Sequence, residues 1–229
     1  MALLLNIDTA TEYASVCLSE EDKIISILES KDQKNHASFI QPAIEKICQT
    51  TGIKLKDLDA VSVTSGPGSY TGLRVGLSSA KGLCYALNKP LILVNTLEVM
   101  AQAAILSYKG SGEGNFLFCP MIDARRMEVF TAIYDTHYQA IMQPCARILN
   151  ENSFKEELSA HTLIFTGSGS FKMKKWPNHI NGIFIDTIHN ASNLASRALN
   201  AFHNQKFGNL AYSEPDYLKE FYSVANVSH

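Results

Sequence analysis

At 229 residues, of which 46% are hydrophobic, the chain can bury the core of one large domain or of two small ones. Lys plus Arg number 20 against 22 Asp plus Glu, a formal charge of -2, which argues against an independent high-affinity nucleic-acid binder because phosphate contacts need concentrated cations. Five cysteines, at 17, 48, 84, 119 and 145, form no Cys-x-x-Cys pair, which fits reduced thiols in a cytoplasmic setting better than a disulfide framework or a zinc site.

The opening Met-Ala-Leu-Leu-Leu-Asn-Ile-Asp lacks a basic n-region and meets a carboxylate at Asp8, so it reads as a buried first strand, not a signal peptide. Strand-like runs at 3–8, 13–19 and 23–30, separated by short polar turns, predict a three-stranded meander. A helix follows, with Phe39, Ile40, Ala43, Ile44, Ile47 and Cys48 as its apolar stripe. Asn35 or Ser38 can cap it and Gly52 can stop it, while Pro42 should kink it or mark its start. A strand at 59–64, a glycine-rich turn, a helix at 73–88, a strand at 91–95 and a helix at 96–107 complete the order βββαβαβα. That order indicates an α/β fold in which a mixed sheet is covered by helices, the arrangement of ribonuclease-H-like domains.

Residues 108–115, Tyr-Lys-Gly-Ser-Gly-Glu-Gly-Asn, make the best linker, dividing the chain into lobes at 1–107 and 116–229. Beyond it the opening repeats weakly. Phe116 to Asp123, ending Met-Ile-Asp, parallels Leu3 to Asp8, ending Asn-Ile-Asp, and the alternating run Met127 to Tyr134 follows. The remainder of this shorter, degenerate second lobe predicts a helix at 151–158, a strand at 162–166, a Gly167-Ser168-Gly169 turn and a helix near 191–204. No stretch reaches the roughly 18 unbroken apolar residues of a membrane span.

The most specific segment is Gly66-Pro-Gly-Ser-Tyr-Thr-Gly-Leu-Arg-Val-Gly76, lying between a strand and a helix. Its glycines let the backbone leave the strand through dihedrals that a side chain would obstruct. Free N–H groups at the following helix N-terminus could hold an anion, although no Gly-Lys-Ser/Thr ending makes this a P-loop and the glycine spacing misses the dinucleotide fingerprint. The plainer alternative is a tight strand-to-helix connection. In the helix at 73–88, Leu73, Val75, Leu77, Ala80, Leu83, Cys84, Tyr85, Ala86 and Leu87 surround more of the cylinder than a one-sided stripe does. One face then packs on the sheet and the other meets a partner, across Gly76, Ser78, Ser79 and Gly82; a fully internal helix satisfies the same pattern.

Asp8 and Asp123 each end a strand before a turn, where two carboxylates could hold a hydrated metal and a phosphate, or simply form turns. The seven histidines are dispersed, and neither a His-Glu-x-x-His element nor a Gly-x-Ser-x-Gly elbow occurs. His36 could touch a partner or cap a helix. Lys172, Lys174, Lys175 and Trp176 form a small basic-aromatic cluster that could meet RNA or water.

Taken together, Ile7-Asp8-Thr9-Ala10-Thr11, the Gly66 to Gly76 run with Ala80-Lys81-Gly82-Leu83, Asn95-Thr96-Leu97-Glu98, Ile122-Asp123-Ala124-Arg125 and Glu214-Pro215-Asp216-Tyr217-Leu218 closely resemble the bacterial TsaB, or YeaZ, family over nearly the whole chain. The resemblance implies the actin-like, sugar-kinase-like ATPase fold with two ribonuclease-H-like lobes. It also implies a cytoplasmic, non-catalytic role in making threonylcarbamoyladenosine, the modified adenosine 3′ of the anticodon in tRNAs that read codons starting with A. In that pathway the complex uses ATP and threonylcarbamoyl-AMP; TsaD transfers the group, TsaE joins, and TsaB pairs with TsaD or with itself, meeting tRNA mainly through the complex. No membrane, DNA, metal or resident cofactor is implied for this subunit alone.

Carried onto this sequence, the resemblance places a partner interface at His36, Phe39, Ile40, Tyr70, Thr71, Leu73, Arg74, Gly76, Leu77, Ala80, Gly82 and Leu83. It leaves Asp8, Thr9, Asp123, Gly167 and Gly169 as candidates for a nucleotide-binding remnant. The catalytic relative carries a His-x-x-x-His metal pair where this chain has Thr96 and Met100, neither a comparable ligand. The rival reading is a stand-alone nucleotide hydrolase or metallopeptidase of the superfamily, and a third is a direct RNA-binding module.

Overall fold

The computed structural model describes residues 1–32, 35–110, 115–176 and 181–218. Strands β1 (Leu3–Asp8), β2 (Ala14–Glu20), β3 (Lys23–Ser30), β4 (Ala60–Gly66) and β5 (Leu91–Asn95) form a five-stranded sheet in the order β3-β2-β1-β4-β5. The meander is antiparallel, whereas β4 and β5 run parallel to β1, since each is reached through a helical crossover. Helices α1 (His36–Thr51) and α2 (Tyr70–Leu87) cover one face, where Leu5, Ile7, Val61 and Val63 meet Ile40, Ile44, Leu77 and Ala80. The helix α1 follows Asn35, whose side chain makes no capping bond, runs through Pro42 and stops at Gly52, whose φ of 73° suits a residue without Cβ. Pro42 and Ser38 both face solvent, so the carbonyl that Pro42 cannot bond is open to water.

A second sheet repeats the plan. Strands β6 (Phe116–Asp123), β7 (Glu128–Tyr134), β8 (Ala140–Ile148), β9 (Thr162–Thr166) and β10 (Gly182–Phe184) lie in the order β10-β9-β6-β7-β8. Here β6 takes the place of β1, antiparallel to β7 and parallel to β9. Both sheets thus share one topology, the mixed order of two ribonuclease-H-like lobes. The short α4 (Lys155–Ala160) and a 3₁₀ segment at Ser170–Lys175 cover the outer face of this sheet, around Phe154, Phe165 and Met173.

Helix α3 (Thr96–Ser107) is apolar almost all round because it sits between the sheets. Val99 packs with Leu4, Ile92 and Val94 of the first sheet, while Leu97, Met100 and Ala101 pack with Ile122, Ala132 and Tyr134 of the second. The sandwiched helix is therefore α3; α2, for which the sequence pattern allowed that position, keeps one open face.

Further details differ from the sequence reading, among them the helix expected at 151–158, which is α4 at Lys155–Ala160. Helix α2 begins at Tyr70 instead of 73, because Ser69 caps it and the glycine run supplies its first turn. Strands β8 and β10 are additional. Helix α5 (Ala191–His203) follows the second sheet in sequence yet packs on the first, with Leu194, Ala198 and Leu199 against Leu4, Ala60 and Ile92. Of the expected linker 108–115, residues 111–114 lie outside the described residues, as do 219–229 of the expected second lobe.

Helix α5 is fastened by polar contacts at its first residue and at its middle. The amide of Ala191 donates to Ser15 Oγ at 2.8 Å, and Arg197 Nε lies 3.0 Å from Glu98 Oε1 of α3 while its guanidinium sits 4.2 Å from the Tyr138 ring centre in the β7–β8 turn. One guanidinium thus ties the first lobe, the central helix and the second lobe together. Burial pushes the Glu98 carboxyl above its ordinary value, against the opposing pull of Arg197. Arg197→Ala is expected to cost about 2 kcal/mol in urea unfolding at neutral pH, since it leaves a half-buried carboxylate without its cation. A carboxyl raised in the folded state favours folding below its unfolded value, and that benefit is lost as pH rises through the folded value. The deficit of the variant should therefore shrink as pH falls through the carboxylate range, and a pH-independent deficit would show that only packing was lost.

Candidate functional site

A cleft of about 560 Å³ opens between the lobes. Its floor comes from the β1–β2 loop and the glycine turn on one side, and from the ends of β6 and β9 on the other. Met100, Ile122, Phe130, Phe171 and Ile188 give it apolar walls, and Glu12, Asp123, Arg125, Asp186 and His189 give it charged or titratable groups.

The two strand-end aspartates occupy different environments. Asp8 is 2% exposed. Its Oδ1 accepts hydrogen bonds from Thr64 Oγ1 at 2.9 Å and from the Ala10 amide at 3.1 Å, and His189 Nε2 lies 3.4 Å from its Oδ2. Asp8 continues a polar stripe on the α5 side of the first sheet, where Ser62 donates to Asn6 at 2.7 Å and Asn6 donates to Ser19 at 3.0 Å. Its carboxylate is committed to holding strand ends together. Asp123 is exposed, but Lys172 Nζ lies 2.7 Å from its Oδ1 and the Arg125 amide donates to the same oxygen at 2.6 Å. What burial it has would raise the Asp123 carboxyl, and the bonds from Lys172 and Arg125 outweigh that and hold it below its ordinary value. His189 had no local signal in the sequence, as it meets Asp8 only through the docking of α5.

The Gly66 to Gly76 run resolves into a close-packed connection. The Ser69 amide donates to Ala10 O at 2.7 Å, Ser69 Oγ accepts from the Gly72 amide at 3.3 Å, and Thr9 Oγ1 donates to Gly72 O at 2.7 Å. A Cβ on Gly68 would overlap Ala10 O, one on Gly72 would overlap Thr9 O, and one on Gly76 would overlap Thr9 Oγ1. Gly66, at φ 120°, lies against the backbone of Asp216. The glycines thus let α2 approach the β1–β2 loop to backbone contact, which is the plainer of the two sequence alternatives. Gly167 and Gly169 act likewise under β6: the Gly169 amide donates to Met121 O at 3.0 Å, and a Cβ on Gly167 would overlap Met121 O. That amide is spent on the fold and cannot also serve a phosphate.

The residues marked for a partner interface divide sharply. His36, Ile40, Leu73, Gly76, Leu77 and Ala80 are buried inside this chain, His36 with its Nε2 3.3 Å from Glu12 O. They support the surface from below, since a helix packed on a sheet must spend one face on it. Phe39 and Leu83 are half-buried, and Tyr70, Thr71, Arg74 and Gly82 are exposed. With Ser78 and Tyr85, the exposed α2 residues line one face at helical spacing, and Tyr85 is 83% exposed. Residues 208–218 flank this face. Arg74 lies 4.1 Å from the Tyr70 ring centre and donates to Tyr217 Oη at 3.1 Å, and Lys81 Nζ donates to Ser213 O at 3.0 Å.

Thr96 and Met100 are both buried, Thr96 at the first turn of α3 and Met100 against Leu97 and Ile122. Among the described residues no three His, Cys, Asp or Glu side chains gather as a metal-binding group, and no helix is long and apolar enough to cross a membrane. In the basic-aromatic cluster, Lys172 is spent on Asp123 and Trp176 packs on the second core, which leaves Lys174 and Lys175 exposed.

Comparison with known proteins shows what the chain is similar to. The family model of TsaD, tRNA N6-adenosine threonylcarbamoyltransferase, matches residues 23–221. The tRNA threonylcarbamoyladenosine biosynthesis protein TsaB of Bacillus subtilis is 34% identical over 131 residues, covering 57% of this chain and 54% of that protein. TsaB of Escherichia coli is 38% identical, with the same coverage. The chain spans about half the length of the curated relatives it matches. A Pseudomonas aeruginosa protein described as similar to peptidase YeaZ superposes with a TM-score of 0.82 at 25% identity, over 96% of this chain and 100% of its own. With the TsaD model running over most of its length, TsaB proteins as sequence relatives and a YeaZ-like protein matching its fold, this chain belongs to the TsaB (YeaZ) family.

Proposed function

We propose that this chain is a non-catalytic scaffold and activating subunit for forming the threonylcarbamoyl group on the adenosine 3′ of the anticodon in tRNAs that read codons beginning with A. On this reading it works in the cytoplasm with TsaD and TsaE, and the complex consumes ATP and threonylcarbamoyl-AMP. Its two lobes divide at residues 108–115. It pairs with TsaD, or with a second copy of itself, through the open face of α2 and the neighbouring edge of α1.

The observation that carries this reading is the state of the cleft. Asp8 is tied to Thr64, Ala10 and His189, and Asp123 is tied to Lys172 and the Arg125 amide. Thr96 and Met100, which the resemblance matches to the imidazole pair of the catalytic relative, are both buried. The two strand-end carboxylates are thus consumed by internal contacts, while the face opposite the sheet on α2 stays open. A chain of this kind acts by binding and shaping a partner, so its effect is a coupling between sites.

Threonylcarbamoyl transfer to tRNA, reconstituted with and without this protein, tests the proposal. Omission is expected to lower the rate at least about tenfold, the scale of ordinary coupling energies. Undiminished transfer in its absence would sink the proposal, as would ATP turnover by the isolated protein that Asp8→Ala abolishes.

A further inference from the structure

The cations left over from the basic-aromatic cluster meet two more across the second lobe. The turn between β6 and β7 presents Arg125 and Arg126, both exposed and both in left-handed backbone, at φ 68° and 47°. The 3₁₀ segment Ser170–Lys175 lies directly beside it. Lys172 fastens the two turns, donating to Asp123 at 2.7 Å and to Glu128 O at 2.8 Å, and Lys175 Nζ reaches to 3.6 Å from Met127 Sδ. Arg125 and Arg126 on one turn and Lys174 and Lys175 on the other thus belong to two adjoining turns, with Lys175 directed toward Met127 and Lys174 lying over Phe171 and, at 5.3 Å, Phe184. Among the described residues none of the four has a carboxylate within 4.0 Å, and the nearby Asp123 is already neutralised by Lys172. Phe171 stands on the turn that carries the lysines at 58% exposure, with Lys174 Nζ 4.7 Å from its ring centre.

We propose that these two turns form an RNA-docking site, their four cations following the sugar-phosphate backbone and Phe171 offering a ring to an unpaired base. In a chain whose formal charge is -2, four unpaired cations on adjoining turns are a local concentration of the kind that phosphate contacts need. An exposed ring beside cations suits single-stranded segments, whose bases are free to stack, better than a duplex, whose bases are not. The inference rests on the tRNA reading above for the identity of the RNA. It adds direct contact by this subunit, where the family resemblance left tRNA to the complex.

The test is fluorescence anisotropy with a labelled tRNA transcript reading an A-initial codon, using the full chain alone and in complex with its TsaD partner, between about 50 and 200 mM salt. Reversing the four charges together (R125E, R126E, K174E, K175E) should weaken binding by about a hundredfold at the low-salt end and lower the log-log salt slope by about 3, roughly one phosphate contact per cation. Phe171→Ala should weaken it about tenfold and leave the slope unchanged. The four-fold glutamine variant, checked by thermal melting, replaces the reversal if that fails to fold. Equal tRNA binding by wild type and variants overturns the proposal, and so does equal competition by duplex DNA or by anionic phospholipid vesicles, which would mark a generic polyanion surface. Partner association, measured on the same variants by analytical ultracentrifugation, should not change. Transfer that proceeds without this protein would count against the scaffold reading, whereas the proposed contact is read directly from binding to the chain alone.

Discussion

Replacing Gly72 by alanine is expected to destabilise the fold by about 3 kcal/mol, whereas the same change at Gly82, ten residues along the same helix, should be neutral or stabilising by up to about 1 kcal/mol. The new methyl at position 72 would overlap Thr9 O, with His36 Nδ1 and Ser69 Cβ each 3.2 Å away. The backbone oxygen of the fully buried Thr9 cannot rotate aside, so α2 must lift from the β1–β2 turn. Lifting it stretches the 2.7 Å bond from Thr9 Oγ1 to Gly72 O and the 2.7 Å bond from the Ser69 amide to Ala10 O, worth about 1 kcal/mol each in addition to the overpacking. Around Gly82 there is nothing within 4 Å, so alanine there gains helix propensity and meets no obstacle. Urea unfolding of the two variants checks the pair. Equal stability would mean that the glycine run is not needed for close approach.

The same contrast explains what could be read from sequence. Strands β1, β3, β5, β6 and β9 and helix α3 fall at the expected residues because each is a short apolar run or stripe between strong breakers. Strand β8 escaped because it is an edge strand: Pro144 sits inside it, and half-buried and exposed residues follow one another without a clean period of two. Strand β10 is three residues long and pairs on one side only. Helix α5 was legible as a helix, but its attachment to the first sheet depends on Ser15 and Leu4, far away in the chain. Local pattern says that an element is amphipathic and does not say which sheet it covers.

The site was legible in outline and blurred in detail for a related reason. Asp8, Asp123 and the glycines stand out because their chemistry is unusual for a strand end or a helix start. Whether such a group faces a ligand or is tied inward depends on the contacts that Thr64, His189 and Lys172 make, and none of these is a sequence neighbour. A helix face is likewise readable only as a period. Leu73, Gly76, Leu77 and Ala80 lie at one phase and Thr71, Arg74, Ser78 and Gly82 at another; only the packing shows which phase is inside. Small residues at both phases made the helix look two-sided.

That assignment of faces leads to the expectation for Gly82→Trp. Its side chain would stand on the exposed α2 face between Ser78 and Tyr85, where the open surroundings leave room in the isolated chain but not beneath a closely packed partner helix. Association, with a TsaD partner or with a second copy, should weaken at least about thirtyfold, the size of a lost interface hot spot. The thermal midpoint of the isolated chain should move by no more than a few degrees, since an exposed helical tryptophan costs roughly half a kcal/mol relative to alanine and still improves on glycine. Tyr85→Ala on the same face should also weaken association, because a large exposed aromatic is the kind of residue on which interfaces concentrate their energy. A variant of Gly72 would lose association as well, but only in step with its lost stability, so the two effects separate when sedimentation and melting are measured on the same samples. Full association by Gly82→Trp at unchanged stability would remove the outer face of α2 from the interface and with it the physical basis for a scaffold acting through that helix.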